Sequence, residues 1–193
     1  MSHQAKPAQP ATVECNHAWN ERLPFHDRAD FDNAARGFTA HFDADVIRRD
    51  ADGRVVWDFR AYDFQDSDKA PDTVHPSLWR LARLNNHAGL FKVCERIYQI
   101  RGFDLSNMNI IEGDTGLIIM DPLVSMEVAR AGLELYYEHR PKRPVLSVIY
   151  THSHVDHFGG VKGVVDEADV KAGKVSIIAP EGFMEETVSE NIL

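Results

Sequence analysis

The sequence predicts an α/β protein in which helices pack on a β-sheet, and three observations support this prediction. Two short apolar runs, 107–112 and 117–121, flank the turn Gly113-Asp114-Thr115-Gly116, which is typical of a β-hairpin. Apolar residues then recur at helical spacing from Ser125, a suitable helix cap, to about His139. A third apolar run, 145–150, follows two prolines and predicts a buried strand. Helices that alternate with strands are typical of a layered α/β domain.

The remaining predicted elements are shorter and are recognised by their ends. Asp30 is a suitable cap and Gly37 a suitable end for a short helix, and Pro76 precedes another helix. Residues 1–25 are rich in Ala, Pro and polar residues, and we predict a loosely held arm. The other predictions are a strand at 54–59, a helix at 77–84, strands within 90–101, a strand at 175–179 and a helix at 181–190.

The composition indicates an ordinary folded protein and excludes two kinds of partner. The chain has 193 residues, 44% of them hydrophobic and 26% charged, and a formal net charge of −9. It has no cluster of Lys and Arg that would bind a phosphate backbone, so we expect no nucleic-acid partner. No apolar run approaches the roughly 20 residues that span a bilayer. No signal peptide is visible, which predicts a cytoplasmic protein, but a processed leader would leave the same sequence, so a periplasmic or secreted location stays open.

The run Thr-His-Ser-His-Val-Asp-His-Phe-Gly-Gly (151–160) carries the chemistry. Imidazole nitrogen and carboxylate oxygen are ligands that zinc prefers. His152 and His154 are two residues apart at the end of a strand, so they can point to one side and share an ion. Asp156 and His157 follow after the chain has turned, which favours a second ion beside the first. The alternative is a polar loop that is merely rich in histidine, and four ligand-type side chains within six positions argue against it.

Four segments of the chain resemble one family of enzymes. The pattern HxHxDH after an apolar strand, preceded by the EGDTG hairpin, resembles the metallo-β-lactamase superfamily. The segments YQIRGFDLSNM (98–108) and THSHVDHFGGV (151–161) resemble its alkyl sulfatase branch. So do DRADF (27–31) and TVHPSLWR (73–80). The resemblance therefore covers the chain from about residue 24 to its end.

This resemblance implies a fold, a cofactor and a reaction. The fold would be an αββα sandwich, of which this chain holds about the first half. His152 and His154 would bind one Zn²⁺, Asp156 and His157 would bind a second, and a metal-activated water would be the nucleophile. Asp121 would stand behind a metal-binding histidine and fix its tautomer, although a role in capping or turning before Pro122 is equally compatible with the sequence.

The implied reaction is the hydrolysis of primary alkyl sulfate esters, such as dodecyl sulfate, by a homodimer. Other metallo-β-lactamase-type chemistries, such as thioester or lactam hydrolysis, are the alternatives. In the family, further metal ligands come from later sequence, so the chain could also be an incomplete, inactive portion of such an enzyme. The sequence predicts a flexible arm at 1–25, an extension at 26–89 that packs on the catalytic domain, and the first half of that domain at 90–193.

Three tryptophans are further candidates for a role in substrate binding: Trp19, Trp57 and Trp79. Large aromatic side chains could line a pocket for an alkyl chain. They are more often part of a core, and we favour that interpretation.

Overall fold

The computed structural model describes residues 6–192, and they form two compact units. The N-terminal unit comprises the residues up to Arg36 together with Ala61–His87, and the sheet unit comprises Gly37–Arg60 and the residues from Ala88 onward. Residues 37–60, which the sequence analysis assigns to the extension, thus belong to the sheet unit. The division at 1–25, 26–89 and 90–193 stays a prediction.

The N-terminal unit is helical. Residues 10–22, expected as part of an irregular arm, form a helix that begins at Pro10, whose fixed φ suits the first turn of a helix. No residue of this helix is buried. Within residues 6–192 no helix is both long and apolar enough to cross a membrane. The helices of this unit are α1 Pro10–Arg22, α2 Ala29–Ala35 and α3 Pro76–Asn85, and most of the 3-10 helix Phe59–Asp66 also belongs to it.

Trp79 on α3 is the buried centre of the N-terminal unit. It is only 5% exposed, and its indole Nε1 donates a hydrogen bond of 2.9 Å to the carbonyl of Ser67. The Asn16 amide and the His17 ring of α1 contact Asp72 at 2.9 Å each. The preference for a core role is therefore confirmed for Trp79.

The sheet unit contains a seven-stranded sheet in the order β1-β4-β5-β6-β7-β8-β9 and a two-stranded sheet of β2 and β3. Neighbouring strands are antiparallel up to β7, whereas β7–β8 and β8–β9 are parallel. The strands are β1 Phe38–Ala40, β2 Val46–Arg48, β3 Val55–Asp58, β4 Gly89–Cys94, β5 Ile97–Arg101, β6 Met108–Glu112, β7 Leu117–Met120, β8 Val145–Ile149 and β9 Ser176–Ile178. The predicted hairpin is confirmed as β6 and β7.

Helix α4, Met126–His139, packs on one face of this sheet and contributes six buried residues to the core. The predicted cap is confirmed, because the Ser125 hydroxyl accepts a hydrogen bond of 3.3 Å from the Val128 amide. Gly132 lets the helix approach the sheet, since a Cβ there would lie 3.1 Å from side-chain atoms of Ile100 and Met108. The α/β fold class is confirmed.

A buried ion pair joins the end of α4 to the sheet. The Glu112 carboxylate on β6 is 7% exposed and accepts hydrogen bonds from Arg140, at 2.8 and 3.0 Å, and from the Tyr136 hydroxyl, at 2.7 Å. The bonds from Arg140 hold the pKa of Glu112 below its ordinary value, while burial acts in the opposite direction. The same carboxylate therefore stabilises both β6 and the helix terminus.

The strand after α4 is less buried than the sequence suggests. β8 has one buried residue, Val148, whereas Leu146 is 38% exposed. The edge strand β9 beside it is exposed along its whole length. The expectation of a fully buried strand at 145–150 is wrong because the described residues cover this end of the sheet incompletely. Helices α5 Glu167–Lys171 and α6 Phe183–Asn191 flank β9 in sequence.

Candidate metal centre

The four predicted ligands lie together at the end of β8. We call residues 151–160 the histidine loop; it contains a one-turn 3-10 helix, Val155–His157. The ring of His152 lies 4.7 Å from that of His154 and 4.0 Å from that of His157, measured between centroids. The histidine loop thus folds back on itself, through the 3-10 helix and the turn at Gly159 and Gly160.

The donor atoms approach each other in two pairs. His152 Nε2 lies 3.2 Å from His154 Nδ1, and His157 Nε2 lies 3.3 Å from Asp156 Oδ2. Two ligand atoms, each about 2.05 Å from one tetrahedral zinc ion, would be about 3.3 Å apart. Among residues 6–192, no three His, Cys, Asp or Glu side chains are arranged to hold one ion. Each pair of donor atoms thus has the spacing of two ligands on one ion, and the assignment of the four residues to two ions stays a prediction.

The hydrogen bonds around Thr151 fix the tautomer of His152. The Thr151 hydroxyl donates to Asp121 Oδ2 at 2.7 Å, because an ionised carboxylate can only accept. Its oxygen, 3.0 Å from His152 Nδ1, must then accept from that ring nitrogen. His152 Nε2 is left with its lone pair, on the side that faces His154. This is the protonation state that binding of a metal through Nε2 requires.

Asp121 is also placed behind the second pair of donors. Its Oδ2 lies 3.0 Å from His157 Nδ1, on the side of the ring opposite Asp156. The contact is out of line with the ring N–H, so this buried nitrogen has no hydrogen-bond partner among the described residues. The carboxylate of Asp121, 6% exposed, thereby contacts both Thr151 and His157.

A strained turn holds the histidine loop from below. Asp121 and Leu123 have positive φ angles of 57° and 64°, which are unfavourable for residues other than glycine. The Leu123 carbonyl accepts a hydrogen bond of 2.8 Å from Gly160. A Cβ at Gly160 would clash with the carbonyl oxygens of Pro122 and Ser125, so only glycine allows this close approach. The turn and the loop are therefore fitted to each other.

Asp104 and Ser106 hold the loop from a second side, and the sequence analysis did not identify them. The Asp104 carboxylate, 8% exposed, accepts hydrogen bonds of 2.8 Å from the amides of Ser106 and Val124. Ser106 in turn donates its hydroxyl proton to the backbone carbonyl of Asp156. Burial raises the pKa of Asp104, although the two backbone bonds act against the rise.

Helix α6 holds the loop from a third side, and it too was not identified from the sequence. The Asn191 side chain donates to the Ser153 carbonyl at 2.9 Å and accepts from the Val155 amide at 3.2 Å. The Glu190 carboxylate accepts from the Ser153 hydroxyl and lies 3.7 Å from His154 Nε2.

Aromatic rings form the floor beneath the loop. The ring of Tyr150 stacks on Phe183 at 5.4 Å and lies 5.9 Å from Phe158, between centroids. Burial raises the pKa of Tyr150 to about 12. Its hydroxyl therefore stays protonated at neutral pH, and the floor carries no charge.

Known proteins are similar to this chain over its whole length. The profile of the Metallo-beta-lactamase superfamily matches residues 101–192. The structure superposes on a stereoselective inverting sec-alkylsulfatase from Pseudomonas sp. with a TM-score of 0.92 and 55% sequence identity, over 100% of this chain and 30% of that chain.

Curated relatives cover the same region. An (R)-specific secondary-alkylsulfatase from Pseudomonas sp. is 54% identical over 100% of this chain and 29% of its own length. A linear primary-alkylsulfatase from Pseudomonas sp. is 56% identical over 98% of this chain and 28% of its own length. An alkyl/aryl-sulfatase from Saccharomyces cerevisiae is 53% identical over 98% of this chain and 29% of its own length. The chain thus spans just under a third of these relatives.

The class of protein is indicated by three features: the sheet, the helix packed on it and the histidine loop at the end of β8. Residues 101–192 match the metallo-β-lactamase superfamily, and the chain has the mixed α/β fold of that superfamily. Within that superfamily, its similarity is to the alkylsulfatases, as the segments 98–108 and 151–161 indicate.

Proposed function

We propose that the protein containing this chain hydrolyses primary alkyl sulfate esters to an alcohol and sulfate, and that this chain provides half of a binuclear zinc centre. The observation that carries the proposal is the pairing of donors at the end of β8. His152 and His154 would hold one ion, and Asp156 and His157 would hold the other, at the spacings of 3.2 and 3.3 Å described above. The alkylsulfatase relatives, at 53–56% identity, support the sulfate ester as the substrate.

The residues of the chain have separate roles in this proposal. Bound zinc would supply Lewis acidity, which activates a water molecule and offsets the negative charge of the departing sulfate. Asp121 orients His157 directly and His152 through Thr151.

The first test of the metal centre uses the 193-residue chain itself. Zinc content is measured after purification and exhaustive dialysis, and affinity is measured by competition with a chromophoric chelator. We expect bound zinc that is lost in His154→Ala and Asp156→Ala. The matched control is His139→Ala, because His139 is exposed and lies at the far end of α4. Unchanged zinc binding in both loop variants would contradict the assignment of the ligands.

The test of the activity uses a chimera. Residues 1–193 replace the aligned segment of the linear primary-alkylsulfatase, to which they are 56% identical. We expect zinc-dependent release of sulfate from dodecyl sulfate, loss of release in His154→Ala, and normal release in His139→Ala. A zinc-loaded, folded chimera that releases no sulfate would refute the proposal.

The same chimera tests the substrate class. The relatives include enzymes named for primary and for secondary alkyl sulfates, so dodecyl sulfate is compared with the two enantiomers of 2-octyl sulfate. We expect faster hydrolysis of the primary ester. A thioester and a β-lactam are assayed beside them, and faster hydrolysis of either would favour another chemistry of the superfamily. The homodimer and the cytoplasmic location stay predictions.

A further inference from the structure

A cavity in the N-terminal unit combines clustered positive charge with apolar walls. Its volume is about 510 Å³, within the range of small-molecule sites. Arg28, Lys69, Arg80 and Arg83 line it, and Asp68 is the one acidic residue of the lining. The aromatic side chains of its wall are Phe25, Phe31 and Trp79. The cavity is therefore locally basic in a chain whose net charge is −9.

Three guanidinium groups gather on one aromatic ring. The Cζ atoms of Arg28, Arg80 and Arg83 lie 4.1, 4.9 and 5.4 Å from the centroid of Phe31. Each cation is attracted weakly by the face of the ring, but the three repel one another. Ion pairs of Arg80 with Asp30 and of Arg83 with Asp68 offset part of this repulsion, and an anion in the cavity would offset more of it.

The arginines are fixed more firmly than the carboxylates that neutralise them. The side chains of Arg80 and Arg83 are only 18% and 19% exposed. Their partners, Asp30 and Asp68, are 67% and 85% exposed, and ion pairs of this kind add little stability. A ligand can thus displace the carboxylates while the guanidinium groups stay in place.

The Arg28 guanidinium has no polar partner among the described residues. Within residues 6–192 its guanidinium makes no hydrogen bond and no ion pair, and its one described contact is the ring of Phe31. Guanidinium groups bind sulfate and carboxylate oxygens through paired hydrogen bonds. The free donors of Arg28 therefore face a ligand or solvent at the wall of the cavity.

We propose that this cavity binds an anionic amphiphile, with its sulfate or carboxylate head group on Arg28, Arg80 and Arg83 and its short alkyl chain against Phe25, Phe31 and Trp79. The N-terminal unit contributes none of the four proposed metal ligands, so the proposal does not depend on the proposed function.

The test is isothermal titration calorimetry on the 193-residue chain in buffer that contains a metal chelator. Octyl sulfate and octanoate, below the concentrations at which they form micelles, are the anionic ligands. Octanol, octyltrimethylammonium and inorganic sulfate are the controls for the tail, the charge and the head group. We expect one saturable site for octyl sulfate, octanoate or both, and binding of each control at least about tenfold weaker, because each lacks one half of the interaction.

Variants locate the binding site. Arg28→Gln and Arg83→Gln should each weaken binding about tenfold or more. Arg36→Gln is the matched control, because Arg36 lies in the same unit, bonds to Asn33 and does not line the cavity. Arg28 is exposed and without polar partners among the described residues, so its replacement keeps the test valid if Arg83→Gln does not fold.

Three results would overturn the proposal. They are the lack of a saturable site for both anionic ligands, equally tight binding of octanol, and unchanged binding in Arg28→Gln. Because the chelator keeps zinc out of the titration, none of these results bears on zinc binding or on sulfate release, which are measured separately.

Discussion

The Asp104→Asn variant tests whether a buried carboxylate supports the histidine loop. The two oxygens of Asp104 accept backbone N–H bonds of 2.8 Å from Ser106 and Val124. Asparagine keeps the size of the side chain but has only one acceptor oxygen, so its NH₂ group must face one of these two N–H donors.

The expected loss of stability follows from these two bonds. A buried N–H without an acceptor costs about 1–3 kcal/mol, and the remaining bond loses its charge assistance, a further ~1 kcal/mol. Removal of the charge recovers part of this, because burial of the carboxylate is itself unfavourable, as the raised pKa of Asp104 indicates. We therefore expect Asp104→Asn to lower the free energy of unfolding by about 2 kcal/mol.

Urea denaturation followed by circular dichroism measures this change, and zinc affinity is measured in parallel. Because Ser106 holds the Asp156 carbonyl, we expect zinc affinity to fall as well. The control is Asp43→Asn, since Asp43 is exposed and has no polar partner within residues 6–192. A loss of stability below about 0.5 kcal/mol, the usual range for surface substitutions, would refute the reasoning.

Three further predictions address the same unit. Glu112→Gln should cost about 2 kcal/mol at neutral pH. Because Arg140 lowers the pKa of Glu112, this difference from the wild type should shrink as the pH falls below about 4.3 and through the lowered value; denaturation at several pH values checks this, and a constant difference would contradict it. Gly160→Ala should destabilise the protein and weaken zinc binding, because the new methyl group meets fixed carbonyl oxygens; an unchanged melting temperature would show that the turn yields. Asp121→Asn should weaken zinc binding about 10–100-fold, because His157 and Thr151 lose the carboxylate that orients them. Chelator competition measures this affinity, and an affinity equal to that of the wild type would mean that Asp121 only shapes the turn.

Much of the sheet unit could be predicted because its signals are local. The cap at Ser125 and the prolines after His139 mark the ends of α4, and the Gly-Asp-Thr-Gly turn marks the hairpin of β6 and β7. The four proposed ligands lie within six residues, so their proximity required no knowledge of the fold. The exposure of β8 could not be predicted, since a run of apolar residues does not show which elements cover it.

The supports of the loop could not be found in this way. Ser106 is 50 residues from Asp156, and Asn191 is 38 residues from Ser153. Ser, Asp and Asn are common in turns and at helix ends, so nothing in the local sequence distinguishes these residues. The cavity in the N-terminal unit could not be predicted either, because residues distant in sequence form it. Arg28 contacts Phe31 from outside α2, whereas Arg80 and Arg83 contact it from α3.

The three-sided attachment of the histidine loop has a consequence for the order of folding. Strands β4 to β7 pair with their neighbours in sequence, and such local contacts form early because they close short loops. The loop, by contrast, is held by Asp104 and Ser106, by the turn at Asp121, and by α6, three segments that come together only after β8 has crossed over to β7. The donors should therefore reach their final spacing in the last step of folding. Zinc added to an unfolded chain would then bind after the sheet has formed, and would slow unfolding more than it speeds folding.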